Sequence, residues 1–161
     1  MMERPSFDEY FMIMAFAASL RSDDPNIKHG AVIVTQQNHI IGTGYNATIR
    51  KSNPLKIPYH IRDKKRLWMI HAEENAILNC QKNPLTLSGG AKLYVTGIPC
   101  VNCLQRVINF GIKEIFHAKR MGSITENAET AEMRFDLIEM SGILVHEMDV
   151  SGLISSLHFD L

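Results

Sequence analysis

The sequence predicts an α/β protein, a three-layer α/β/α sandwich in which helices cover both faces of a mixed five-stranded sheet. The predicted elements follow one another in the order α-β-β-α-β-α-β-α-β. Two consecutive strands near the start form a predicted antiparallel hairpin, whereas strands that alternate with helices later in the chain are expected to pair in parallel. With 161 residues the chain has the size of one domain, and we expect residues 1–161 to fold as a single unit.

The first part of the chain supplies a helix, a hairpin and a long connection. The helix is predicted from Ser6 to Arg21, because Ser6 is a favourable N-cap and the stretch is apolar on most sides, so we expect it to be well buried. The β-branched run from Ala31 to Val34 and the segment from His39 to Gly44 flank a polar turn and form the hairpin. Tyr45 to Met69 shows no clear period and is predicted to be a loop.

Helices and strands alternate in the second part of the chain. Three helices are predicted, at His71 to Asn79, Cys100 to Phe110 and Thr125 to Met140. Three strands are predicted, at Ala91 to Thr96, Lys113 to Phe116 and Ile143 to His146. Gly111 and Gly142 follow two of the helices at the position where glycine commonly ends a helix in the left-handed conformation.

Composition and charge exclude several classes of function. The 17 basic and 17 acidic residues give a formal net charge of zero, so nothing in the total predicts a nucleic-acid partner. The longest apolar run, Phe11 to Leu20, is about half the length needed to cross a bilayer, so we expect no membrane span. Three cysteines and no secretion signal argue against a disulfide framework, and we expect a reducing, cytoplasmic location.

Two short motifs predict a metal site. His71-Ala72-Glu73 has the pattern H-x-E, and Pro99-Cys100-Val101-Asn102-Cys103 has the pattern P-C-x-x-C. His71, Cys100 and Cys103 are ligands of the kind that zinc prefers, and three protein ligands leave one position for water, as in catalytic zinc sites. Taken singly, C-x-x-C also occurs in redox pairs and zinc knuckles, and a lone histidine is often structural. Because both motifs lie at predicted strand-to-helix junctions, we favour catalytic zinc.

Glu73 has a different predicted role from the three ligands. Residues two apart on a helix point in different directions, so Glu73 is not expected to join His71 on the metal. A bound zinc ion lowers the pKa of its water toward about 7, and a neighbouring carboxylate can then move the protons. The alternative is that Glu73 and Glu74 form a solvated helix start. The paired motifs are similar to the signature of zinc-dependent nucleobase deaminases, in which a glutamate that is not a ligand acts as general acid and base.

With these motifs in place, the chain resembles the deoxycytidylate (dCMP) deaminases of the cytidine deaminase-like fold. The similarity covers about residues 8 to 148. It includes the segments Arg21-Ser22-Asp23-Asp24-Pro25-Asn26, Gly44-Tyr45-Asn46, His71-Ala72-Glu73-Glu74-Asn75-Ala76-Ile77 and Gly111-Ile112-Lys113-Glu114. The resemblance implies hydrolytic deamination of dCMP to dUMP by a zinc-activated water, with Glu73 as the proton shuttle. It also implies that the nucleotide is contacted by Asn46, Ala72, Arg21, Ser22 and Asn26.

Some of these nucleotide contacts have simpler interpretations. Asn46 is also a common type of turn residue, and Arg21 and Ser22 also suit the end of a helix. The resemblance further implies a homohexamer that dCTP activates and dTTP inhibits at a separate site, with Mg²⁺ assisting the triphosphate. The segment from Thr48 to Met69, with seven basic residues and one acidic residue, is either a part of such a site or subunit contact, or a solvated loop. Ala47 replaces the glycine usual in this family.

Two further interpretations stay open at this point. Cys80 and His60 are candidate ligands of a second, structural zinc, although Cys80 also suits a small buried hydrophobic position. A tRNA-adenosine or free-nucleoside deaminase of the same fold is the alternative enzyme, and a non-catalytic, zinc-stabilised nucleotide-sensing module is the alternative of another class. The neutral total charge disfavours the tRNA substrate, and Glu73 disfavours the module, since a purely structural site has no use for a spare carboxylate.

Overall fold

A computed structural model describes residues 4–53, 56–80, 89–119 and 127–153. Its helices are α1 (Phe7–Ser19), α2 (Arg62–Arg66), α3 (Ala72–Asn79), α4 (Val101–Phe110) and α5 (Ala128–Ser141). Its strands are β1 (Gly30–Thr35), β2 (Ile40–Tyr45), β3 (Ala47–Thr48), β4 (Met69–Ile70), β5 (Ala91–Val95), β6 (Ile112–Ala118) and β7 (Leu144–Met148).

Five of the strands form the central sheet, in the order β2-β1-β5-β6-β7. Strand β1 is antiparallel to both β2 and β5, while β5, β6 and β7 run parallel to one another. The predicted mixed five-stranded sheet, with an early hairpin and parallel strands later, is therefore confirmed. The antiparallel contact between β1 and β5 joins the two halves.

Alternating side chains of the sheet build two cores, one on each face. On one face, Phe11 and Met12 of α1 pack with Val32 of β1 and with Tyr94 of β5. On the other face, Ile33 of β1 belongs to a larger cluster with residues of α3, α4 and α5. Helices thus cover both faces of the sheet, which confirms the three-layer architecture.

Capping residues determine several of the helix boundaries. Ser6 caps α1 in a capping box with Glu9, as its position predicted, but α1 ends at Ser19 instead of Arg21. The first turns of α1 are less buried than expected, since Phe7 and Tyr10 are exposed. The expected start of the last helix at Thr125 lies outside the described residues, and the side chain of Asn127 caps α5 by accepting a hydrogen bond from Thr130 N.

The prediction that a glycine ends each of two helices is confirmed as well. Gly111 ends α4 at a φ of 101° and Gly142 ends α5 at a φ of 67°, a left-handed conformation that glycine adopts without steric cost. Strand β6 begins at the residue after Gly111 and β7 begins two residues after Gly142, so the two glycines set where the chain turns back into the sheet.

The expectation of a loop from Tyr45 to Met69 is wrong. Tyr45 ends β2, and the segment contains β3, α2 and β4. Strands β3 and β4 pair in an antiparallel arrangement with Ala47 opposite Ile70. Elements of two and five residues are too short to leave a periodic pattern in the sequence, and only their tertiary contacts reveal them.

The longest helix in the described ranges, α5, has 14 residues, whereas a membrane-spanning helix needs about 20. No helix among the described residues is long and apolar enough to cross a bilayer. The assignment of residues 1–161 to a single domain stays a prediction.

Candidate functional site

Two helix N-termini converge on the predicted metal ligands. His71 is the N-cap residue of α3 and Cys100 is the N-cap residue of α4, each with an extended backbone. Cys103 lies in the first turn of α4. The partial positive charge at a helix N-terminus favours thiolates, so this arrangement suits two cysteine ligands.

The three ligand atoms have separations that suit tetrahedral zinc. His71 Nδ1 lies 3.5 Å from Cys100 Sγ and 3.3 Å from Cys103 Sγ. Zinc–sulfur and zinc–nitrogen bonds of about 2.3 and 2.05 Å at tetrahedral angles place such atoms about 3.6 Å apart. Within the described ranges, His71, Cys100 and Cys103 are the only group of three or more His, Cys, Asp or Glu residues with ligand atoms this close together. Two sulfurs and an imidazole fit Zn²⁺ and do not fit Mg²⁺ or Ca²⁺.

The two thiols of the cluster, Cys100 and Cys103, have pKa values shifted in opposite directions. A hydrogen bond from Cys103, helped by His71, lowers the pKa of Cys100 to about 4 against the opposing effect of burial. The pKa of Cys103 is raised because its thiol donates to Cys100 and is buried. The hydrogen bond to Cys100 also raises the pKa of His71. A dication bound here would displace these protons, so metal affinity should depend on pH.

Glu73 is buried beside this cluster, with only 6% of its surface exposed. Burial raises the pKa of its carboxyl to about 7, against the opposing effects of a hydrogen bond from its own backbone N–H and of the nearby His71. A solvated helix start therefore does not describe Glu73. It does describe Glu74, whose carboxylate lies 3.4 Å from Arg106 Nε at the surface. A carboxyl group with a pKa near 7 is suited to both accepting and donating a proton at neutral pH.

Helix α3 owes its position to two glycines of β2. A Cβ added at Gly44 would lie 2.2 Å from Ala76 N and 2.3 Å from Ala72 O, and one at Gly42 would lie 2.6 Å from Ala76 O. Because only glycine fits at this spacing, the helix that begins at His71 lies directly on the strand. The sequence analysis missed this contact, although the alternation of Gly42 and Gly44 along one face of a strand is the signal that predicts it.

Asn46 is buried, and its side-chain amide holds the segment before β1. Its Oδ1 accepts a hydrogen bond from His29 N at 2.7 Å, and its Nδ2 donates to Ile27 O at 2.8 Å. An amide has further hydrogen-bonding capacity on both atoms, so a substrate contact remains compatible with these bonds. Asn46 immediately precedes Ala47, whose strand partner Ile70 immediately precedes His71.

The other predicted nucleotide contacts occupy different environments. Ala72 is fully buried, backbone included, and its N–H is in the first turn of α3, where an N–H has no partner within its own helix. Arg21 is exposed and its guanidinium lies over the ring of Tyr45, 6.0 Å from the centroid. Ser22 is buried and donates to Asn46 O at 2.7 Å, whereas Asn26 is exposed.

The candidate second zinc ligands differ in their surroundings. Cys80 is half-buried and packs against the larger core, and a Cβ added at Gly42 would lie 2.4 Å from its sulfur. His60 is exposed. The packing of Cys80 favours its interpretation as a small apolar residue.

One residue of the basic segment has a role that the sequence analysis missed. Lys65, in α2, is only 7% exposed, and its Nζ lies 2.6 Å from Asp24 Oδ2. The interpretation of Thr48 to Met69 as a solvated loop is therefore wrong for Lys65. Other basic side chains of this segment are exposed, namely Arg50, Lys51, Lys56, Lys64 and Arg66.

Comparison with known proteins gives concordant matches. The family model described as the cytidine and deoxycytidylate deaminase zinc-binding region matches residues 5–119. A deoxycytidylate deaminase of Pongo abelii is 36% identical over 134 residues, which cover 80% of this chain and 74% of the relative. ComE operon protein 2 of Bacillus subtilis is 34% identical over 163 residues, which cover 97% of this chain and 78% of the relative.

A solved structure matches the fold. The crystal structure of dCMP deaminase from the cyanophage S-TIM5 in complex with dCMP and dUMP superposes with a TM-score of 0.69. The match covers 91% of this chain and 100% of the cyanophage chain at 22% identity. At that identity, the likeness supports the α/β fold described above.

Proposed function

Because this chain belongs to the cytidine and deoxycytidylate deaminase family, we propose that it deaminates dCMP hydrolytically, converting dCMP and water to dUMP and ammonia. The observation that carries the proposal is the buried Glu73 carboxyl next to the cluster of His71, Cys100 and Cys103. The Pongo abelii relative, named a deoxycytidylate deaminase, supports the choice of substrate.

His71, Cys100 and Cys103 are the residues that would hold the zinc ion, through one imidazole nitrogen and two sulfurs. When bound, zinc supplies the Lewis acid that lowers the pKa of water toward about 7. The hydrogen bonds that these side chains make to one another in the protein hold them at nearly the required separations. Little reorganisation is then needed when the metal binds.

Glu73 is the group that would move protons. Its carboxylate accepts a proton from the attacking water and delivers it to the ring nitrogen next to C4 of cytosine. It then takes the proton of the hydroxyl now bound to C4 and transfers it to the amino group. The C4–N bond breaks to release ammonia, and the oxygen of water remains on C4 as the carbonyl of uracil. Burial raises the pKa of the carboxyl toward neutral pH, which suits both directions of transfer.

The nucleotide is proposed to lie between the metal ligands and the end of β2. Asn46 and the backbone N–H of Ala72 would contact the sugar and base, because Asn46 precedes Ala47, the strand partner of Ile70, and Ala72 follows His71 at the start of α3. The exposed Arg21 and Asn26 would face the phosphate. Ser22, bonded to the backbone of Asn46, would act by supporting it.

Regulation is a further part of the proposal. We expect a cytoplasmic homohexamer that dCTP activates and dTTP inhibits with Mg²⁺, and the exposed cations of the basic segment are suited to a triphosphate. Initial rates with dCTP or dTTP, with and without Mg²⁺, and the sedimentation mass test these points. Rates that neither triphosphate changes would remove the regulatory part and leave the deaminase proposal intact.

Product analysis in water labelled with heavy oxygen tests the proposed reaction. Zinc-loaded protein should convert dCMP to dUMP that carries one labelled oxygen on the base, with an equal amount of ammonia. Turnover of deoxycytidine or of tRNA adenosine instead of dCMP would favour the alternative enzymes. No turnover of any of them, with zinc bound, would favour the nucleotide-sensing module.

A further inference from the structure

A buried ion pair links the two chain segments that border the proposed site. Lys65 Nζ donates to Asp24 Oδ2 at 2.6 Å, and both side chains are more than nine-tenths buried. The two residues are 41 positions apart in sequence, and each lies in a segment that leads to a residue of the proposed site. Burying two charges costs free energy, so the pair requires an explanation beyond stability.

On the Asp24 side, hydrogen bonds lead to Asn46. The second carboxylate oxygen of Asp24 accepts from the backbone N–H groups of Asn26 and Ile27. The carbonyl of Ile27 then accepts from Asn46 Nδ2, and Asn46 Oδ1 accepts from His29 N. The conformation of this turn therefore determines how the Asn46 amide is oriented.

A second connection reaches the backbone of Asn46. The N–H of Asp24 donates to Ser22 Oγ at 3.2 Å, and that hydroxyl donates to Asn46 O at 2.7 Å. Asn46 is thus held through both its side chain and its main chain by the segment that Asp24 organises. These bonds involve buried groups, so water does not readily replace them.

On the Lys65 side, the chain runs directly into the metal ligand. Lys65 O accepts a hydrogen bond from Trp68 N, β4 follows at Met69, and His71 comes next after β4. Strand β4 pairs with β3, which begins one residue after Asn46. The ion pair and the β3–β4 pairing therefore tie the same two segments together at two points.

We propose that Lys65 and Asp24 form a positioning pair that holds Asn46 in the orientation required to bind the nucleotide next to His71. The proposal rests on the proposed function, because it assigns Asn46 to the substrate. Neither charged group touches the reacting atoms. Their effect is to hold the 24–29 turn and the segment from α2 to β4 in one relative arrangement.

The test compares Lys65→Met and Asp24→Asn with Tyr94→Phe. Tyr94→Phe is the matched control, since it removes a buried hydroxyl that donates to Asp8 at 2.6 Å on the other face of the sheet. We expect Lys65→Met to raise KM for dCMP and Kd for dUMP by about 10- to 100-fold, the range that misplacing one binding group can produce. Its zinc content should equal that of wild type. Tyr94→Phe should lower the melting temperature without changing KM.

A double variant separates a joint role from two independent ones. If the pair acts as a unit, Lys65→Met combined with Asp24→Asn should raise KM no more than the larger single effect. If the two substitutions raise KM additively in the double variant, the proposal is overturned. It is also overturned if both single variants have the same KM as the Tyr94→Phe control. If Lys65→Met does not fold, Asp24→Asn and its KM decide the question alone.

Nuclear magnetic resonance of the Asn46 side-chain amide gives a readout that does not depend on turnover. In wild type, the proton bonded to Ile27 O should exchange slowly, and in Lys65→Met the exchange should accelerate by at least about tenfold. Unchanged protection in Lys65→Met would overturn the positioning role. If zinc-loaded wild type does not convert dCMP, the proposed function fails, and this measurement still decides whether the pair orients Asn46.

Discussion

Gly44 and Ala72 lie so close that a Cβ on the glycine would come within 2.3 Å of the Ala72 carbonyl oxygen. This contact joins the sheet to the helix that starts immediately after His71. The same glycine would bring its Cβ to 2.2 Å from Ala76 N, so no rotation of a flexible side chain can relieve the overlap. The position of the metal site therefore depends on a strand residue without a side chain.

Substitution of this glycine should disturb both stability and metal binding. We expect Gly44→Ala to lower the free energy of unfolding by at least about 2 kcal/mol, because α3 must move away from β2. Zinc content should fall as His71 moves with the helix. Urea denaturation and metal analysis measure the two effects. Gly152→Ala is the control, since a Cβ there meets no described atom within 4 Å, and an equal loss in both variants would contradict the account.

Removal of the Glu73 carboxylate should abolish turnover and leave the metal in place. Glu73→Gln keeps the size of the side chain but cannot carry a proton, so kcat for dCMP should fall by about 100- to 10,000-fold. Zinc content should match that of wild type, because Glu73 is not proposed as a ligand. Glu74→Gln, which removes the negative charge of the surface pair with Arg106, should keep near-normal kcat. Loss of zinc from Glu73→Gln would show that Glu73 is a ligand.

The three cysteines should differ in their effect on zinc. Cys100→Ser and Cys103→Ser should each lose most of the bound zinc and the stabilisation that a bound ligand provides. Cys80→Ser, whose sulfur packs against the core, should retain a full equivalent of zinc. Metal analysis and melting curves with and without a chelator test this difference. Full zinc occupancy in Cys103→Ser would disprove the proposed ligand set.

The Asp24–Lys65 pair should make stability depend on acid pH. Burial opposes ionisation of Asp24, but hydrogen bonds from Lys65 and from two backbone N–H groups outweigh it and lower the pKa of the carboxyl. A lowered folded-state pKa gives stabilisation that is present above the ordinary value of about 3.9 and is lost as pH falls through the folded-state pKa.

Comparison with Asp24→Asn measures that contribution. Near neutral pH the variant should be about 3–5 kcal/mol less stable, because Lys65 remains buried without its partner charge. The difference should shrink as pH falls below the ordinary pKa of an aspartate. Urea unfolding at a series of pH values provides the data, with the exposed Asp136→Asn as a variant that should match wild type throughout. A difference that stays constant with pH would contradict this assignment.

Local signals in the sequence were sufficient for much of the fold and for the three side chains, His71, Cys100 and Cys103, that the structure brings together. The capping box at Ser6, the glycine stop at Gly111 and the two short motifs each lie within a few neighbouring residues, so their meaning does not depend on distant partners. The alternation of strands and helices was likewise enough to predict which strands run in parallel.

What the sequence could not show depends on contacts between distant residues. Lys65 looks like one more cation of a basic segment until Asp24 is found beside it, 41 positions away. The pairing of β3 with β4 involves two residues on each strand, which is too little for any pattern. The orientation of Asn46 depends on the turn before β1, and only the folded chain brings these parts together.

The central claim is that zinc-loaded protein uses the His71, Cys100 and Cys103 cluster with Glu73 to deaminate a nucleoside monophosphate. The most direct measurement is kcat/KM for dCMP and for deoxycytidine on the same zinc-loaded preparation, with Glu73→Gln as the inactive control. We predict a strong preference for dCMP in wild type and a kcat for dCMP that is at least about 100-fold lower in the variant. Equal or greater kcat/KM for deoxycytidine, or turnover of dCMP that survives Glu73→Gln, would contradict the account.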